Sequence, residues 1–217
     1  MKKILLLFVL MVSLNTVFAQ ETIPDIRHIK PDYESIKTEI TKKDSKFFYS
    51  KLLQKFNNGA AMTFDEKRHL YYGAIFQKDY NKDYTSDLLN NIHDITVKQK
   101  LSDEDLDNLL SYSLKILAEN PFDLEAMNYA TFVYRRKGLE LQNQLMGIKF
   151  SIILDAIFSS GDGITEKNAL HVIHNRDKAF IPKLMGLKAS TSDFTENFIS
   201  FENNKKDLKG FWFYSYN

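Results

Sequence analysis

Two short strings constrain this chain more than any other feature: Thr63-Phe64-Asp65-Glu66 and Ser102-Asp103-Glu104-Asp105. Each is a capping box, in which a hydroxyl accepts from the amide three residues on while an acidic side chain reaches back to the first amide. Three acids at the start of the second box also suit the positive end of a helix dipole. Behind the first box an apolar stripe runs through Leu70, Tyr71, Ala74 and Ile75; behind the second it runs through Leu106, Leu109 or Leu110, Ser113 or Leu114, and Leu117. Spacing of three and four residues predicts amphipathic helices. A further helix is expected from Asp44 through Phe48, Leu52 and Phe56, stopped by Asn57-Asn58-Gly59. Residues 79–100 are polar and Asn-rich and read as a loop carrying one short helix around Leu88 to Ile95.

In the middle, Asn120-Pro121 ends one helix, because the residue before proline is pushed out of the α region. A helix from Leu124 to Arg136 stops at Gly138, and another from Glu140 to Phe158 follows, so the two form a hairpin. Asn120-Pro121, Ala126, Tyr134 and Gly138 are spaced as in one helix pair of a tetratricopeptide repeat, which this segment resembles. It departs from that pattern at Asn143, Gly147 and Phe150. No second copy follows at the expected period, and solenoids need about three. The expectation is one repeat-like hairpin inside a larger globule.

The last third changes character. Ser159-Ser160-Gly161-Asp162-Gly163 reads as a turn, and Thr165 as the cap of a short helix through Leu170. Phe198-Ile199-Ser200-Phe201 and Phe211 to Tyr216 are aromatic and β-prone, with a polar stretch between them, and predict an antiparallel hairpin. Val172-Ile173 is a candidate third strand. Both faces of the last strand are apolar, so cover on both sides is expected. The fold class read from the sequence is therefore α+β, mainly α: helical hairpins followed by a small C-terminal antiparallel sheet.

The N-terminus carries a positive pair, Lys2-Lys3, then an apolar run from Ile4 to Val12. That run falls short of the ~20 residues a spanning helix needs. With Val17-Phe18-Ala19 as a small-x-small site, residues 1–19 are expected to be a signal peptide cleaved near Ala19-Gln20, with residues 20–217 as one globular domain, mainly helical over 20–158. The protein is thus expected to be exported, to the periplasm or beyond. Loss of Lys2 and Lys3 takes the net charge from +1 to −1. A near-neutral chain gives no electrostatic case for nucleic acid. The chain has no cysteine, which closes the lipoprotein route and any disulfide framework, so stability must come from a hydrophobic core.

Three stretches taken together resemble a family of exported bacterial proteins known only as a domain of unknown function. They are Phe48 to Leu52 with Arg68-His69-Leu70-Tyr71-Tyr72-Gly73; the Asn120-Pro121 hairpin; and Ser160-Gly161-Asp162-Gly163 with Val172-Ile173. The resemblance implies a compact exported single domain and carries no activity. In that family a Glu-Tyr pair commonly follows the Val-Ile segment; here those places are similar to Lys178 and Ala179, so any chemistry of the pair would be missing.

Candidate sites each have two readings. Asp162 with Glu166 could hold a cation or act as a base, or Asp162 could simply bind amides of the following helix in a structural turn; Ca²⁺ needs six to eight oxygens, more than are close in sequence. His171 and His174 would share one face if a helix ran through them, offering two zinc ligands, but no third ligand is identifiable and no metal site is expected. Gly73, read as lying mid-helix, costs about 1 kcal/mol relative to alanine, which points to close approach of another helix or to a pocket lined by Tyr71 and Tyr72. Trp212 and Tyr216 could stack on sugars or fill a core. Phosphate loops, nucleophile elbows and paired-cysteine sites are absent. The expected function is a non-enzymatic exported protein that binds another protein through the helical hairpin, with no cofactor. The alternative is a hydrolase or a small-ligand or glycan binder with a pocket near Asp162, Glu166, His171 and His174.

Overall fold

The computed structural model describes residues 28–202 and 207–216, so the signal-peptide reading and its cleavage site lie outside the described residues. The helices in chain order are α1 (Tyr33–Thr41), α2 (Tyr49–Asn57), α3 (Phe64–Gly73), α4 (Leu88–Thr96), α5 (Asp103–Glu119), α6 (Leu124–Arg136), α7 (Glu140–Phe158) and α8 (Asp177–Leu184). Strands β1 (Leu170–Val172), β2 (Ala189–Phe194), β3 (Phe198–Phe201) and β4 (Gly210–Ser215) form one sheet at the C-terminal end. The class is α+β, mainly α.

Both capping boxes form. Thr63 accepts from the Glu66 amide while Glu66 accepts from the Thr63 amide, and Ser102 and Asp105 do the same. At the end of α6, Gly138 adopts φ +68°. Its amide donates to Arg135 O, and the Leu139 amide reaches back to Tyr134 O at 2.9 Å. This pair of bonds satisfies the last carbonyls and turns the chain directly into α7. The helix expected from Asp44 starts later: Phe48 is the N-cap of α2 and makes no side-chain cap. Residues 44–47 are instead folded as turns, with Ser45 Oγ accepting the Phe47 amide.

The sheet order is β1-β4-β3-β2. β3 pairs antiparallel with β4, as the aromatic strings predict, but the sheet is mixed rather than antiparallel. β1 runs parallel to β4, with Leu170 opposite Phe213. The chain reaches β4 only after α8 and the β2–β3 hairpin, which return it in the direction of β1. The His171 to His174 segment is therefore strand and turn, and the helical spacing that would align the two imidazoles is lost. Cover on both faces of β4 is also incomplete: Phe211 and Phe213 are buried, but Tyr214 is 42% exposed.

Two apolar clusters form the core. The larger gathers α1, α2, α3, α7 and the sheet around Tyr71, Tyr72, Phe56, Ile153 and Phe213. The smaller joins α4, α5 and α6 through Ile92, Leu109, Ile116, Ala126 and Val133. α6 belongs to both, sending Leu124, Met127 and Ala130 to the first. No helix among the described residues is long and apolar enough to cross a membrane.

Gly73 is the last residue of α3, not mid-helix, and an added Cβ would lie 3.1 Å from Ile40 and 3.3 Å from Tyr49. Close approach of α1 and α2 explains it. Gly161 is more constrained: its Cβ would fall 2.1 Å from Asn168 O and 2.5 Å from Ala169 O, both backbone atoms that cannot swing away. Gly161→Ala should therefore lose about 3 kcal/mol, at the upper end for overpacking. Thr63→Ala should lose about 1 kcal/mol, the usual value of a cap. Urea unfolding of the two variants beside the parent checks both the sizes and their order.

Candidate functional site

The four sequence candidates do not converge. Asp162 Oδ1 accepts the Ile164 amide at 2.9 Å, a local turn, while His28 Nε2 lies 3.9 Å from its other oxygen. Glu166 is exposed at the first residue of a 3-10 turn capped by Thr165. That turn ends at Asn168, short of Leu170, which begins β1. His171 is buried with Nδ1 3.0 Å from the Tyr33 hydroxyl and its ring against Tyr214. His174 is buried elsewhere, with Nδ1 3.1 Å from Asn81 O and its ring beside Tyr80 and Tyr84. Among the described residues no three His, Cys, Asp or Glu side chains are grouped to hold a metal ion.

The tyrosine pair is core. Tyr71 and Tyr72 are fully buried. The Tyr71 hydroxyl accepts the Ile173 amide at 3.2 Å, and the Tyr72 hydroxyl donates to Ala156 O at 2.8 Å. The terminal aromatics are also engaged: Trp212 packs on Phe198, and Tyr216 on Tyr33 and Phe76. Of the two family-pair positions, Lys178 is buried and donates to Glu196 O at 2.9 Å, whereas Ala179 is exposed.

What the structure does gather is a polar junction at the N-terminus of α6. Asp123 caps the helix, its Oδ1 accepting the Ala126 amide at 2.8 Å. Its Oδ2 receives Arg176 Nη1 at 2.7 Å, and the other Arg176 nitrogen reaches Glu125 at 2.7 Å. One guanidinium thus bridges two carboxylates with the fixed geometry that suits arginine. Asp177 lies beneath, fully buried, and burial pushes its carboxyl well above the usual range, with the charge of Asp123 adding to the effect. The loop 77–87 covers this region. Tyr80 donates to Ile173 O at 2.5 Å, Asn175 N–H donates to Lys82 O at 2.9 Å, and Asn175 Nδ2 to Asp83 at 2.6 Å.

Two recesses open beside this junction. A cleft of about 430 Å³ lies between the covering loop and α8, lined by Tyr84, Glu125, Asn175, Arg176, Phe180 and Lys183 among others. On the other side, α4, α5 and α6 enclose a groove of about 430 Å³. Its walls are Leu101, Leu109, Tyr129 and Phe132, with Asn128 and Arg135 as polar groups. Tyr129 donates to Glu125, so groove and junction share a residue. Asp123, Glu125, Arg176 and Asp177 were not singled out in the sequence. Their signal is the ionisable pair Arg176-Asp177 set between the apolar runs Val172-Ile173 and Phe180-Ile181.

The buried groups set a pH dependence. Burial holds both His171 and His174 down to about 4. The unfolded chain, where imidazoles titrate near 6.5, therefore binds more protons than the folded chain between those values. The stability they contribute is full above about pH 6.5 and is lost as pH falls through that window. Asp177 works the other way: its stability contribution is complete below about pH 4 and is lost as pH rises through its elevated value. His174→Gln should lower the slope of unfolding free energy against pH by roughly 1 kcal/mol per pH unit between pH 4.5 and 6. Asp177→Asn should remove an opposing fall of stability with pH, and so steepen that slope while flattening the alkaline side. Urea titrations from pH 4.5 to 8.5 read both.

The family described as Domain of unknown function (DUF4919) matches residues 34–215, from the second residue of α1 to the end of β4. No curated protein and no solved structure is measurably similar.

Proposed function

This chain belongs to the DUF4919 family, and from that premise we propose that it is a non-enzymatic exported protein that binds a partner protein through the helical surface of α6. The observation that carries this reading is the groove enclosed by α4, α5 and α6. Its leucine and aromatic walls offer apolar burial, while the exposed Asn128 amide and Arg135 guanidinium can pair with a peptide backbone and a carboxylate. A groove of this kind, apolar with a few placed polar groups, is how recognition sites are commonly built. Export draws its support from the Lys2-Lys3, apolar and Ala19 pattern of the first residues.

The hydrolase alternative has less behind it, because Asp162, Glu166, His171 and His174 each have separate surroundings. The tetratricopeptide-like reading keeps only the hairpin itself: α6 and α7 pack along each other after a tight turn. A photoreactive residue at Asn128, which is exposed and can be replaced without disturbing the core, tests the proposal in cells that export the protein. Crosslinking to one defined partner from Asn128, lost on Arg135→Glu and absent from the same probe at exposed Lys167, is the expected outcome. Equal crosslinking from both positions would overturn it.

A further inference from the structure

A third recess, independent of the groove, lies where the covering loop meets the α5–α6 junction. It has a volume of about 130 Å³ and is lined by Tyr49, Tyr80, Tyr84, Glu119, Asn120 and His174 among others. His174 is 4% exposed, and with Asn120, whose Nδ2 is occluded and unpaired, it is one of the polar groups in this lining left unfinished. Its Nδ1 pairs with Asn81 O, and a carbonyl only accepts, so the ring proton is on Nδ1. Burial keeps the imidazole neutral above about pH 4, which leaves Nε2 as a bare acceptor. Among the described residues Nε2 has no hydrogen-bond partner. It is also not one of the fully occluded unpaired atoms, which are Asn120 Nδ2 and Asp177 Oδ2. Nε2 is therefore accessible, on a ring that lines the recess.

The surroundings define what can meet it. Tyr80 and Tyr84 have their rings 5.8 and 6.4 Å from the imidazole, and their hydroxyls are already committed to Ile173 O and Glu119. They offer ring surface to the imidazole rather than donors, and none of the lining donors reaches Nε2, so a ligand can supply the donor there. The space is that of one six-membered ring, since an apolar cavity of ~150 Å³ takes benzene. Asp79 and Glu119, both exposed on its lining, repel an anion.

We propose that this recess binds an uncharged single-ring phenol, whose hydroxyl donates to His174 Nε2 while its ring packs among Tyr49, Tyr80 and Tyr84. Phenol, anisole and benzoate are the probes, titrated into the intact protein with ¹⁵N-labelled histidine. Phenol should bind saturably and move the His174 Nε2 resonance. Anisole, which keeps the ring but lacks the donor, should bind at least tenfold more weakly, and benzoate should not bind. His174→Phe keeps a ring and removes the acceptor, and should lose phenol at least tenfold. If that variant fails to fold, the phenol-to-anisole ratio and the Nε2 shift of the parent protein decide the matter. Absence of saturable phenol binding, equal affinity for anisole, or an unmoved Nε2 resonance overturns the proposal.

Discussion

The salt bridge between Asp123 and Arg176 is the interaction on which the arrangement depends. Asp123 is the N-cap of α6, and α6 is the helix shared by both apolar clusters. A carboxylate that caps a helix with one oxygen and holds a guanidinium with the other fixes that helix in two directions. Arg176 immediately precedes α8, so the same contact joins the helical part of the chain to the part that carries the sheet. Removing one member of a buried pair strands the other, which commonly costs about 3–5 kcal/mol.

That junction is expensive to bury. Asp177 has an unpaired oxygen and Asn120 an unpaired nitrogen, both fully occluded. Unsatisfied polar atoms in a native interior ask for an explanation. Here they lie in the region covered by the 77–87 loop, which is itself held by backbone carbonyls and tyrosine hydroxyls rather than by apolar packing alone. A polar interior with a hydrogen-bonded cover is a different kind of element from the smaller apolar cluster of Ile92, Leu109, Ile116, Ala126 and Val133.

Much of this fold was legible before any coordinates. The bounds of α6 and α7 follow from Gly138 and the Asn120-Pro121 break, both of them local signals. What could not be read depended on distant partners or lacked local marks. α1 is short with a polar outer face, α8 contains Pro182 and has no side-chain cap, and β2 is a polar string of Ala, Ser, Thr and Asp ending in Phe194. Val172-Ile173 reads as a candidate strand, and pairing with β4, more than forty positions away, makes Leu170–Val172 strand and removes the helix that would have aligned His171 with His174. The site was less legible than the fold for the same reason. His174 was singled out, but its companions Asn81, Tyr80 and Tyr84 come from a stretch with no periodicity.

The parallel pairing of β1 with β4 has a temporal side. β1 is finished when Val172 is made, yet its hydrogen-bonding neighbour begins only at Gly210. Every helix through α7 can find its packing partners while β1 still lacks the strand that closes it, because non-local pairings form late in a growing chain. Until Gly210–Ser215 arrive, Leu170 and Val172 present an unpaired edge of apolar backbone, the kind of surface that invites pairing with another chain. The C-terminal residues are thus a closing seam, and the vulnerable interval in the life of this protein is the time between making Val172 and making Ser215.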